Sequence, residues 1–156
     1  MAEGENRAQV VQAFTDTYER VIATALAAAQ RGMTGGVDQW GPREVVAHLA
    51  GWEVMATVRL PAIAAGLAPL DFDDPAQLAV LDDAINATIA TMIGDQPLAA
   101  LVDILRGAYR RDIAFLETLD DARFQPGMYV YERTKGVIEH CEEHLQPLRA
   151  FIGEER

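Results

Sequence analysis

The sequence predicts an all-α protein, a bundle of long helices, and three observations carry that expectation. Apolar residues recur every three or four positions through five successive segments, the spacing of one buried face of a helix. Clusters of Gly and Pro separate those segments. No run of alternating apolar and polar residues reads as a strand.

The first helix is expected from about Asn6 to Arg31, with Val10, Phe14, Tyr18, Val21, Ile22, Ala25 and Leu26 on one face. Gly32, Gly35 and Gly36 end it, and the loop that follows, as far as Gly41, carries Trp40, whose ring is expected to fold back over the end of the bundle. Pro42 suits a first helical position, where its missing N–H costs nothing, and Glu44 favours the positive end of the helix. The second helix is therefore placed from about Pro42 to Ala65, with Val45, His48, Leu49, Trp52, Met55 and Ala56 to one side and Pro61 kinking or ending it near its last turn. After a loop from Gly66 to Pro75, which holds Pro69 and three aspartates, a third helix covers about Ala76 to Ile93. Its stripe is Leu78, Leu81, Ile85, Ile89 and Met92. The stretch from Gly94 to Pro97 breaks the pattern. A fourth helix follows from about Leu98 to Leu119 on Leu101, Leu105, Ala108, Ile113 and Leu116. Pro126 and Gly127 mark the last turn. The fifth helix, about Val130 to Ile152, carries Val137, His140, Cys141, His144, Leu145, Leu148 and Phe151 on its apolar face. Pro147 is expected to bend that helix just after His144 or to leave one carbonyl without its usual partner.

A chain of 156 residues, 50% hydrophobic and 24% charged, has the size and balance of one globular domain, residues 1–156 with a core from about 6 to 152. No internal repeat or long linker divides it. Its 24 acidic residues against 13 basic ones give a formal charge of -11. Phosphate backbones are bound by Lys and Arg, so this balance argues against nucleic acid and against anionic membrane surfaces. The longest apolar runs are too short to span a bilayer, and the first residues, with Glu3 and Glu5, lack the basic and apolar regions of a signal peptide. A cytoplasmic protein is expected. Cys141 is the single cysteine, which excludes an intramolecular disulfide and a cysteine-only zinc site.

The three histidines are the chemically informative residues. His140 and His144 stand four apart on one predicted helix, so their side chains project from the same face, one turn apart. Their neighbours on that face are Val137, Leu148 and Phe151, which points both rings inward. His48 lies between Val45 and Trp52 on the apolar side of the second helix. Buried polar groups need partners, and one divalent cation would satisfy three imidazoles together. Imidazole suits Zn, Ni, Fe and Cu alike, and a position left open on the ion would activate a bound water or thiol. The competing reading is that the histidines form ordinary hydrogen bonds to backbone or carboxylate groups and bind nothing, since a pair at this spacing also arises by chance.

Trp40, the run from Pro42 to Glu53 and the run from Glu139 to Leu145 together resemble the DinB/YfiT-like superfamily of helical bundles. The likeness extends in order from about Phe14 to Phe151, and Asp83 to Asn86 with the following helix resembles the middle of one branch. That branch contains small proteins akin to DfsB and ClbS and the N-terminal domain of mycothiol-dependent maleylpyruvate isomerase. The resemblance implies a four-helix bundle, DinB-like, with one additional short helix. It also implies one divalent metal ion (Zn, Ni or Fe) held by a histidine of the second helix, matched by His48, and by two residues of the last helix, matched by His140 and His144. Some isomerase-like relatives have Glu at the first position of that pair, where this chain has His140, and they carry an additional C-terminal domain not expected here. Members of the superfamily include transferases and isomerases in which the metal activates a low-molecular-weight thiol against an electrophile.

Other residues are weighed against plainer roles. Glu53 lies five positions beyond His48, about 140° round the helix, and is read as solvated, or else as an outer-shell acceptor or fourth ligand. Glu139, Glu142 and Glu143 are read as a wet helix face, with Glu143 able to orient an imidazole. Cys141 points about 100° away from His140 and is read as a packed thiol. Trp52 is placed as a wall of the metal pocket, within reach of Tyr18 and Tyr109 from neighbouring helices, although all three also read as core packing. Arg106 and Arg110 share a helix face and either receive an anionic group or form ion pairs with the many carboxylates.

These observations lead to the expectation of a metal-dependent thiol transferase, isomerase or hydrolase acting on a small-molecule substrate. The alternative is a non-enzymatic protein that binds or sequesters a small molecule, and the sequence leaves open whether the chain is an enzyme. Neither nucleic acid nor membrane is expected as a partner; a homodimer is, because alanine-rich helices pack closely.

Overall fold

Local chemistry sets the helix ends. The computed structural model describes residues 6–36, 39–67 and 75–154, and these contain five helices and no strand. Helix α1 (Arg7–Gln30) begins at Asn6, whose side chain accepts from the Gln9 amide at 3.0 Å while the Gln9 side chain accepts from the Asn6 amide at 2.9 Å. It stops before Gly32, which takes a positive φ of 86°. Helix α2 (Pro42–Ala64) starts with Pro42, and the Glu44 carboxylate accepts from the Gly41 amide at 3.0 Å. Helices α3 (Pro75–Ile93) and α4 (Leu98–Thr118) flank the turn at Gly94–Pro97, and α5 (Tyr129–Ile152) ends at Gly153 in the left-handed conformation. Each described end falls within one residue of the sequence expectation. Pro61 and Pro147 both lie inside their helices, so neither ends one. The expected loop from Gly66 to Pro75 falls mostly on residues 68–74, which lie outside the described residues, as does the N-terminal run with Glu3 and Glu5.

Four of the helices share one core. Phe14, Val21 and Ile22 of α1, Val46 and Leu49 of α2, Leu101 and Leu105 of α4, and Leu145 and Leu148 of α5 are all buried in it. The most extensive pairings are α2 with α4 and α1 with α5. A second buried cluster, around Val10, Leu60, Leu116 and Phe124, closes the other end. Apolar side chains of this size each contribute about 1.5–3 kcal/mol when fully buried, so the core is amply supplied by the predicted stripes.

Helix α3 departs from expectation. At 19 residues it is not short, and it packs mainly on α2. Ile89 is its one buried side chain, while Leu78 and Met92, expected on the buried stripe, are exposed. A helix lying against a single neighbour has only a narrow line of contact, and most of its apolar stripe stays outside it. The contact it does make is close: a Cβ on Gly51 would lie 2.5 Å from Ile89 Cγ1. Phe151 is likewise 48% exposed, because Ile152 takes the buried place at the end of α5. No helix among the described residues is long and apolar enough to cross a membrane.

Candidate metal centre

The contacts His48–His140 and Glu53–Arg133 run in opposite senses along the two helices, so α2 and α5 pass each other antiparallel. This brings the lone histidine of α2 to the pair on α5. His48 Nε2 lies 2.9 Å from His140 Nε2, and His144 Nε2 lies 3.1 Å from the same atom. One donor atom from each ring falls within 4.8 Å of the others. The rings are not equally enclosed: His48 is buried, whereas His140 keeps 44% of its side-chain exposure, so the pair on α5 faces the rim of the bundle rather than its interior.

Convergence of three ring nitrogens is informative because each has one in-plane site, either a proton or a lone pair. His140 Nε2 therefore cannot form a full hydrogen bond with both neighbours. Two nitrogens each about 2.0–2.1 Å from one ion stand roughly 2.9–3.4 Å apart over octahedral to tetrahedral angles. The observed spacings lie in that range, and three neutral imidazoles can hold a divalent metal. Burial, reinforced by the other two rings, pushes His48 down to about 3, and burial with His140 beside it pushes His144 down to about 4. Both are thus neutral at pH 7, the state in which imidazole binds metal. His48 Nδ1 is buried without a hydrogen-bond partner, and the Glu143 carboxylate stands 3.8 Å from His140 Nδ1, too far to fix that ring.

Trp40 folds back over this end of the bundle, as the sequence suggests, and there meets two of the histidines. Its ring stacks on His144 at 5.4 Å and lies 4.8 Å from His48. The loop can seat it because a Cβ on Gly41 would lie 2.4 Å from the Gly35 amide nitrogen, so only glycine fits there. Below the histidines, α2, α3 and α5 enclose a cavity of about 750 Å³. Trp52 forms one wall, its Nε1–H donating to Asn86 Oδ1 at 2.9 Å, and Tyr18 reaches the cavity from α1.

Several expectations are corrected. Glu53 is not solvated: it is 1% exposed, lines the cavity and accepts from Arg133, itself only 16% exposed. Asp112 of α4 is buried beside them, 3.9 Å from Arg133. Burial would raise Glu53, but the Arg133 charge holds it below its ordinary value. Burial together with the neighbouring Glu53 pushes Asp112 up to about 9, so this cluster holds one carboxylate, one carboxylic acid and one guanidinium at pH 7. Burial raises Tyr18, the fourth member, well above an ordinary phenol. The sequence signal for the cluster is a second stripe, at 46, 49, 53, 56 and 60 on α2 and at 101, 105, 108, 112 and 116 on α4, where every residue is buried.

Tyr109 and Arg110 do not reach the cavity. Tyr109 stacks flat on Tyr18 at 5.1 Å, and its hydroxyl donates to Glu19, which also pairs with Arg106 at 3.1 Å. Arg110 is exposed on the outer side of α4, and Glu143 is 76% exposed. Cys141 is fully buried and outside the histidine cluster, and burial pushes its thiol up to about 12, which makes it inert packing.

Neither a protein-family model nor a curated protein matches the sequence. The fold is similar to the crystal structure of an uncharacterised protein from Escherichia coli UTI89, with a TM-score of 0.68 over 94% of this chain and 92% of that one. The two are 16% identical, so the likeness shows the fold alone.

Proposed function

We propose that the chain is a DinB-like four-helix bundle enzyme that holds one divalent metal ion (Zn, Ni or Fe) on His48, His140 and His144. Its substrate is a small electrophile, attacked by a low-molecular-weight thiol or by water. The observation that supports this reading is the meeting of three imidazole nitrogens at one end of a large cavity. A divalent ion there would lower the pKa of a bound thiol or water and so supply the nucleophile near neutral pH. The chain's own residues do the rest. Trp40 walls one side of the histidine end, Trp52 gives the substrate a flat wall oriented by Asn86, and Met55, Ala56 and Leu60 line an apolar bed for it.

One observation favours the alternative, a binding or sequestration protein. Of the two carboxylates that line the cavity, Glu53 is committed to Arg133 and so is not available as a general base, and Asp82 lies towards the end away from the histidines. Turnover of substrate by the wild-type chain, lost on removing a histidine, distinguishes an enzyme from a stoichiometric binder.

The deciding experiment is metal analysis by mass spectrometry on untagged protein purified without chelator or added metal. About one ion per chain is expected, lost in His48→Ala and in His140→Ala. Less than roughly a tenth of an ion per chain, with no specific uptake on reconstitution, would overturn the metal reading and leave the histidines as structural groups.

A further inference from the structure

The cavity has a second end. His48, Trp52, Met55 and Arg59 line it from α2 at positions i, i+4, i+7 and i+11, one continuous face of the helix. Eleven residues of helix separate His48 from Arg59 by about 16 Å along the axis. On α3, Asp82 and Asn86 line the same cavity one turn apart, and the Trp52–Asn86 hydrogen bond sets the register. Since α2 and α3 are antiparallel, as the Trp52–Asn86 and Gly51–Ile89 contacts require, Asp82 faces the turn of α2 that leads to Arg59. The end of the cavity away from the histidines thus carries one guanidinium and one carboxylate.

Both charges are half-buried, and neither forms an ion pair or hydrogen bond among the described residues. Among the described residues, Arg7, Arg20, Arg43, Arg106, Arg123, Arg133 and Arg149 all pair with carboxylates; Arg110 and Arg111 do not, but they are exposed, whereas Arg59 is half-buried at the cavity. Opposite charges that line one cavity without joining each other suit a ligand that presents both signs at once. Between the two ends, Tyr18, Glu53 and Arg133 line the wall, and there the two charges already pair with each other.

We propose that Arg59 and Asp82 bind an α-amino-acid head group, its carboxylate on Arg59 and its ammonium on Asp82, at one end of an elongated small molecule whose other end reaches the histidines. Free amino acids are too short to span the cavity. An ordinary peptide separates its ammonium and carboxylate by its whole length, so the geometry selects a head group joined to the rest through its side chain. This inference rests on the cavity being the functional site, but it does not require the histidines to hold a metal.

The test is isothermal titration of the full, chelator-treated chain with S-methylglutathione, a γ-linked peptide with such a head group and no free thiol. Saturable binding is expected, weakened about ten-fold or more in Arg59→Gln and in Asp82→Asn. Acetylating the probe's amine should weaken binding to wild type by a similar factor. Zinc titration of the same two variants should match wild type, since neither residue belongs to the histidine cluster. Absence of saturable binding to wild type, or undiminished affinity in either variant, would overturn the inference. Zinc uptake without probe binding defeats this inference alone; probe binding without zinc uptake defeats the metal reading alone.

Discussion

Replacing Arg133 with methionine tests whether the buried ionic cluster holds the helices together. Glu53 is 1% exposed and Arg133 16%, so water cannot screen the carboxylate when its partner is removed. Breaking a buried pair from one side costs about 3–5 kcal/mol, because a charge is left without compensation. At roughly 2–4 °C per kcal/mol for a domain of this size, the melting temperature should fall by about 6–20 °C. The exposed pair Arg20–Glu142, with side-chain exposures of 50% and 36%, supplies the contrast: Arg20→Met should cost under about 1 kcal/mol. Removing both charges, in Glu53→Gln with Arg133→Met, should recover most of the loss, since apolar or neutral groups of similar volume replace a buried pair at little cost. The assay is urea unfolding followed by far-UV circular dichroism on chelator-treated protein at pH 7. A loss below about 1 kcal/mol in Arg133→Met, no larger than in Arg20→Met, would refute the reasoning.

Two further outcomes follow from the same packing. Asp112 is raised from 3.8 to about 9, so the folded chain retains a proton that the unfolded chain releases. Its contribution to stability is therefore complete below its ordinary value and is lost as pH rises through about 9, with a slope of up to about 1.4 kcal/mol per pH unit. Asp112→Asn should flatten that decline in a series of unfolding curves; an unchanged slope would show that Asp112 is ionised in the fold. Gly51→Ala should destabilise by about 1–3 kcal/mol in thermal unfolding, despite the better helix propensity of alanine, because the new methyl meets Ile89. Ile89→Ala in the same chain should relieve the clash, and a stabilised Gly51→Ala would show that α3 does not sit against α2 there.

The five helices were legible because each is amphipathic over at least 19 residues, long enough for a period of 3.6 to stand clear of chance. Gly32 marked an end that takes a left-handed residue, and Pro42 a start that needs no amide. Prediction was weaker where burial depends on a neighbour. Leu78 and Met92 have the spacing of a core stripe, yet α3 meets only one helix closely enough to cover Ile89. Glu53, Asp112 and Arg133 sit on stripes of buried residues, but a charged residue at a core position reads as an outward one until its partner is known. The partners lie on different helices, 59 and 80 residues from Glu53.

The sequence by itself determined which residues could take part in metal chemistry, since three histidines and one cysteine leave few choices, and it determined that His140 and His144 share a face, because four residues are one helical turn. Only the tertiary structure decided that His48 joins them, that Trp40 packs on His48 and His144 and that Cys141 stays apart. It alone also turned Arg59 and Asp82 towards one cavity. The physical reason is range. Periodicity and capping act over a few residues and are written along the chain, whereas the approach of α2 to α5 depends on how four apolar faces pack together, and that packing places side chains 92 residues apart within hydrogen-bond distance.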